Sequence, residues 1–303
     1  MSNLLEKRPL NVCSEKPCSA IKQLIHPQEK DLGGFFVRRL FPAVGLKSVG
    51  PWVFFDHMGP AEFAPGNGIN VRPHPHIGIA TVTYLFEGEI LHRDSLGSYQ
   101  TITPGDINLM IAGKGIVHSE RERDLVTQSQ HKLNGLQLWM ALPDKYEEIA
   151  PEFHHYPNEE IPSITIDNIN IRVMIGSAYG QQSPVKTFSE TLYVEATMPA
   201  GSQLEVPHAS QCAVYIIHGE ICIDEVLLTQ YSMAILDTSK NIKIKASQDA
   251  QIAFIGGGDL GKRYIEWNFV SSSKERIAKA KSDWKAGNFP LVPGDDEEFI
   301  PLP

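Results

Sequence analysis

The sequence predicts an all-β chain folded into two domains, each a barrel or sandwich of short strands, with one helix near the end. Three observations carry this expectation. Runs of β-branched and aromatic residues recur at short intervals, separated by Gly, Pro, Asn and Asp: "GGFFVRRLF", "WVFFDHM", "ATVTYLFEGE", "QTITPGDINLMIAG" and "GLQLWMALP". A chain of 303 residues that is 42% apolar can build two ordinary cores, and its 21 prolines and 24 glycines suit many short elements joined by turns. Finally, strand signals stop at the connector "PDKYEEIAPEFHHYPNEEIP" and resume in "ITIDNINIRVMIG", "TLYVEATMPAG", "CAVYIIHGEICI", "YSMAILD", "IKIKAS" and "QIAFIGGGD". The second half thus repeats the first in kind, as a diverged second copy would.

Taken in order, the leader "MSNLLEKRPLNVCSEKPC" places charges where a signal peptide or anchor would need an apolar core. No later segment is long and apolar enough to span a bilayer, so no membrane association is expected. A formal charge of −9, without a concentrated Lys/Arg stripe, argues against direct nucleic-acid binding. Four cysteines in a chain this long make no disulfide scaffold, and Cys13 and Cys18 are not spaced as C-x-x-C. The reading is a reduced, cytoplasmic protein in which Cys212 and Cys222 act as small buried apolar residues. Near the end, Ser272 and Glu275 have capping-box spacing, Ile277, Ala280, Lys281 and Trp284 recur at helical intervals, and Gly287 supplies a stop. The closing "VPGDDEEFIPLP" reads as either a solvated tail or a strap returning to the body, with Phe299, Ile300 and Leu302 favouring the strap.

The chemistry concentrates in "VRPHPHIGIATVTYLFEGE". Side chains alternate along a strand, so His74 and His76 point the same way, about 7 Å apart, close enough to share one ion. Pro73 and Pro75 hold the residues before them extended, and their missing N–H groups suit a strand start or edge. Downstream, "AGKGIVHSERE" places His118 and Glu120 two apart in a second extended segment. If both segments face one interior, three imidazoles and a carboxylate converge. Such donors, without thiolate, fit a catalytic divalent metal such as iron, manganese, nickel or copper better than a structural zinc, and leave positions open for substrate or oxygen. If alternation continues unbroken, Gly78 and Ala80 follow on the same face and leave room for a ligand, with Val82, Tyr84 and Phe86 as apolar wall.

Other signals carry less. His57, and His92 with Asp94, are candidates for orienting the metal ligands or substrate. His131, His154 and His155 sit among polar residues and read as solvated. Gly256, Gly258 and Gly261 spell G-x-G-x-x-G and nearly open a P-loop, but Arg263 follows the lysine and "RYIEWNF" is strand-like where a phosphate site needs a helix. A turn is expected there. His208 and His218 stand alone, so no second metal site is expected.

The stretches "GINVRPHPHIGIATVTYLFEG", "PGDINLMIAGKGIVHSE", "GLQLWMALP" and the segment from "RYIEWNF" to the end resemble bacterial pirins, two-domain members of the cupin superfamily. Gly68, His74 and His76 meet the cupin pattern G-x5-H-x-H. The glutamate that pattern expects next is absent, Ala80 or Thr81 standing in its place. The resemblance implies two cupin-type β-barrels (double-stranded β-helix, or jelly roll) with a short C-terminal helix: a metal-binding barrel over residues 1–143 and a diverged, metal-free barrel with helix and tail over 144–303. It implies one divalent metal, iron first, with Mn, Ni, Cu, Co or Zn as alternatives, held by His74, His76, His118 and Glu120. It further implies a quercetin 2,3-dioxygenase-like activity on a small aromatic substrate and dioxygen, with Glu120 accepting the proton of the flavonol 3-hydroxyl. The alternative from the same resemblance is an iron-dependent regulator that binds a protein partner.

Overall fold

The structure, a computed structural model, describes residues 19–31 and 35–303. Cys13 and Cys18 therefore lie outside the described residues. Each half folds into a seven-stranded sheet facing a four-stranded one, as the two-barrel reading expects. In the first half the strands of the larger sheet run in the spatial order Glu152–Tyr156, Ile107–Ile111, Ile79–Glu87, His131–Ala141, Trp52–Phe63, Phe36–Phe41 and Gln28–Asp31. The smaller sheet orders Asn70–His76, Ile116–Arg121, Ile90–Asp94 and Tyr99–Ile102. The second half repeats this plan around the central strands Gln211–His218, Ala250–Gly257 and Thr191–Met198.

The two large sheets pack back to back. Their shared core joins Trp52, Phe55, Val82, Tyr84, Leu136 and Leu138 to Tyr193, Tyr215, Ala253 and Ile255. Trp52 has no exposed surface and spans the seam by donating its indole N–H to the carbonyls of Leu192 and Gly256, both at 3.1 Å. Alternation along each strand of the first large sheet then sends the intervening residues, such as Phe54, Asp56, Thr83 and Gln137, into the first barrel's interior.

Strand pairing crosses the boundary expected at residue 143. Ile21–Ile25 pairs with Met233–Leu236 at the edge of the second large sheet. Glu152–Tyr156, within the connector, pairs with Ile107–Ile111 at the edge of the first. Each large sheet thus has an edge covered by chain from beyond its own half, which protects ladder groups that would otherwise be unpaired.

The second barrel is filled. Ile171, Val173, Val194, Ile216, Ile244, Ile252 and Phe254 are fully buried in its own apolar core, together with Cys212. His208 and His218 lie exposed outside it. The glycine run ends the strand Ala250–Gly257 and opens a loop with no helix after it, and downstream Tyr264–Glu266 pairs with Phe269–Ser271 in a short hairpin.

The C-terminal helix spans Lys274–Lys285, one residue later than its expected cap. Ser273, not Ser272, accepts from the Arg276 N–H at 3.2 Å, while Ser272 instead donates to Glu147. Beyond Gly287 the tail returns as a strap. Ile300 N–H donates to the Pro73 carbonyl at 2.8 Å, Trp284 donates to the Ile300 carbonyl, and Arg121 pairs through two nitrogens with Asp295. No helix is long and apolar enough to cross a membrane among the described residues.

Candidate metal centre

The strands Asn70–His76 and Ile116–Arg121 lie side by side in the small sheet, with His118 opposite His74 and Ile116 opposite His76. The three histidines share the face that points inward. Between His118 and Glu120 the register shifts, Glu120 falling opposite Val71, so the partner strand carries one extra residue at Arg72–Pro73. Such a bulge leaves a residue unpaired, and proline, having no N–H, suits it at no cost to the ladder. His118 and Glu120, two apart on the regular strand, share its inward face, and the bulge in the partner strand brings Val71 to the cavity beside His74.

His74, His76 and His118 are all buried and offer ligand atoms within 4.8 Å of one another. His74 Nδ1 lies 2.9 Å from the Arg72 carbonyl and His76 Nδ1 lies 3.1 Å from the Asn268 carbonyl. A carbonyl only accepts, so each Nδ1 carries the proton and each Nε2 keeps its lone pair free. Among the described residues His118 has no hydrogen-bond partner on either ring nitrogen, although it is 1% exposed. Burial depresses all three imidazoles, His74 to about 4, so they are neutral at physiological pH. Three neutral, buried, converging imidazoles with open lone pairs are what a divalent ion requires, and the donor set fits one.

Glu120 lines the same cavity but stands outside the 4.8 Å cluster of imidazoles. Its only hydrogen bond among the described residues is a long one, 3.4 Å from Thr83 Oγ1, whose shorter contact at 2.8 Å goes to Gln137. Burial outweighs that bond and lifts its carboxyl to about 7.

The cavity measures about 410 Å³ and is mainly apolar. The large sheet contributes Phe54 and Trp139, stacked at 4.0 Å, and the C-terminal hairpin and strap contribute Trp267, Asn268 and Ile300. Trp139 also stands edge-on to His76 at 4.9 Å. Trp267 has φ +54°, a left-handed backbone that costs a bulky residue energy and is tolerated where the surroundings hold it. That conformation sets the next carbonyl, Asn268, against His76.

Two family models cover both halves, Pirin over residues 34–140 and the Pirin C-terminal cupin domain over 193–290. A pirin-like protein of Caulobacter vibrioides is 44% identical over 280 residues, spanning 91% of this chain and 97% of that one. The chain belongs to the pirin family. Among solved structures, a quercetin 2,3-dioxygenase from Acinetobacter baumannii matches with a TM-score of 0.86 and 31% identity, covering 93% of this chain and 94% of that one. A bacterial pirin from Escherichia coli, solved in complex with nickel(II), matches with a TM-score of 0.61 over 78% of this chain and 99% of that one; at 17% identity it speaks for the fold alone.

Within this pirin several sequence-based candidates sit elsewhere than expected. Gly78 does not open the cavity. Its φ of +68° ends the histidine strand and resets the alternation, and a Cβ there would lie 2.0 Å from the Val270 carbonyl. Ala80, Val82 and Tyr84 consequently face the second barrel, while Thr83 faces Glu120. His57 is also turned away from the metal cluster. Its nitrogens bond Tyr215 and Asn134 at 2.7 Å each, making it part of the seam between barrels. His92 and Asp94 do stand beside the cluster, bonded to each other at 3.0 Å, with the His92 ring 5.3 Å from that of His118 and stacked on Phe153. His131 is not solvated but pairs with the buried Glu122 at 3.1 Å. Sequence reasoning missed Arg39, Asp56, Gln137 and the hairpin residues Trp267 and Asn268.

Proposed function

We propose that this pirin is an iron-dependent dioxygenase that opens the heterocyclic ring of a flavonol such as quercetin. The observation that carries the reading is the convergence of three open imidazole nitrogens, with Glu120 beside them, in a mainly apolar cavity whose wall includes Phe54, Trp139 and Trp267. Its volume lies in the range of small-molecule sites. The likeness to a solved quercetin 2,3-dioxygenase over nearly the whole of both chains supports the choice of reaction.

His74, His76 and His118 would hold the ion, with Glu120 as a fourth ligand. When bound, the ion supplies Lewis acidity toward the enolic oxygen of the substrate and redox access to dioxygen. Glu120, beside the three imidazoles, accepts the 3-hydroxyl proton on its carboxylate. Phe54, Trp139 and Trp267 hold the ring system flat and keep water from it. Both atoms of dioxygen enter the product, and the carbon that bore the 3-hydroxyl leaves as carbon monoxide.

The test is oxygen uptake and loss of flavonol absorbance by the iron-loaded protein, with carbon monoxide as the co-product, beside the H74A and E120Q variants. H74A is expected to lose both metal and activity. E120Q should lose turnover more completely than metal. Full turnover in E120Q would remove the base from the scheme, and no turnover in the iron-loaded wild type would remove the reaction.

A further inference from the structure

We infer that Arg39 and Asp56 form a recognition site for a phenolic hydroxyl on the part of the substrate remote from the metal, an assignment that rests on the proposed reaction. Arg39 and Asp56 are register partners on neighbouring strands of the large sheet, which faces the small sheet that carries the histidines across the cavity. Arg39 Nε and Nη2 donate to the two carboxylate oxygens at 2.8 and 2.7 Å. The guanidinium carbon lies 4.5 Å over the ring of Phe54, whose stacking on Trp139 continues the aromatic wall.

Asp56 is buried and Arg39 half-buried, and an ion pair so placed is a poor way to stabilise a wall that apolar side chains could fill, because desolvating the carboxylate offsets much of the attraction. The backbone ladder already joins these strands, so the pair is not needed to pair them. Elimination points the same way. Of the other ionisable groups lining the cavity among the described residues, the histidines and Glu120 belong to the metal centre. Arg39 and Asp56 are the charged groups left to meet a ligand.

The pair offers both signs of hydrogen bond. Among the described residues Arg39 spends two of its donors on Asp56, and each carboxylate oxygen, having received one bond, retains acceptor capacity. A group that donates to Asp56 while accepting from Arg39 matches it, and a phenolic hydroxyl does both. A carboxylate on the substrate would meet Asp56 with like charge, and a bare ring would leave the pair desolvated and unanswered.

Quercetin and 3-hydroxyflavone separate these cases, since both keep the 3-hydroxyl and 4-keto oxygens and only quercetin carries remote phenols. With iron-loaded protein, the wild-type kcat/KM for quercetin should exceed that for 3-hydroxyflavone by about 10- to 100-fold. In R39M and in D56N that ratio should collapse to within about 3-fold of one, at unchanged iron content. Because R39M leaves a buried carboxylate without its partner, the double variant R39M/D56N serves if the single one fails to fold. A ratio preserved in the variants, or a wild type indifferent to the remote phenols, overturns the assignment. If the wild type turns over neither compound, the proposed reaction fails separately. Anaerobic binding, followed by quenching of Trp139 and Trp267, then decides the inference on the same ratio of affinities.

Discussion

Replacing His118 by leucine separates a metal ligand from a histidine that merely fills a core. The ring is 1% exposed, neither nitrogen has a hydrogen-bond partner among the described residues, and its centroid stands 4.3 Å from that of His74 and 5.1 Å from that of His76. A buried polar group left without a partner costs about 1–3 kcal/mol, a cost that leucine, of comparable bulk, does not incur. Metal-free H118L is therefore expected to be at least as stable as metal-free wild type, and by about 1–2 kcal/mol more stable if the apolar side chain repacks well. Adding the ion should reverse the order. At a free concentration 100 times Kd, binding adds about 2.7 kcal/mol to the wild type. The variant, with one ligand removed from the cluster, gains far less. Urea unfolding followed by fluorescence, once with chelator and once with an excess of iron(II) under argon, measures both comparisons. A metal-free variant several kcal/mol below wild type would show that His118 is satisfied in a way the geometry does not reveal. A wild type whose midpoint ignores the ion would refute the metal centre itself.

Three further outcomes are expected. G78A forces a left-handed backbone on alanine and drives its Cβ against the Val270 carbonyl at 2.0 Å, so it should lose about 3 kcal/mol of stability in thermal unfolding. Because the displaced strand adjoins Asn268, which bonds His76, metal affinity should fall as well, and an unchanged affinity would deny that link. His57 is pushed down to about 4 by burial, so it stays neutral in the fold while the unfolded chain protonates near 6.5. Its contribution is whole above pH 6.5 and is lost as pH falls toward 4, by about 3 kcal/mol; H57Q should flatten that part of the stability curve, and an unaltered slope would refute the assignment. Elemental analysis should give one ion per chain in the wild type and in H208A alike, since the second barrel is filled by apolar side chains; a second equivalent lost in H208A would contradict this.

Much of the architecture is legible in local chemistry. Alternating β-branched and aromatic runs, bounded by Gly, Pro and Asn, specify strands because those side chains fit a pleated surface and those turn residues end it. The pairing of histidines at i and i+2 is equally local, since the period of a strand is two wherever the backbone stays extended. That condition fails at Gly78. One left-handed residue exchanged the faces of everything after it, which is why Ala80 was expected in the cavity and belongs to the seam. The helix was displaced by one residue because three consecutive serines offer equivalent caps and only the packing of Ser272 on Glu147 chooses among them.

What the sequence determined by itself is the set of short-range facts: two β-rich halves, a proline-stiffened H-x-H, a partner H-x-E and a C-terminal helix. Tertiary structure alone decided which side chains share a cavity. Asn268 reaches His76 across 192 positions, Arg39 meets Asp56 only through strand register, and Ile21–Ile25 crosses to the second barrel's sheet. Such contacts arise from the free energy of closing sheets and burying their faces together. That energy depends on the whole chain, and no window of neighbouring residues encodes it.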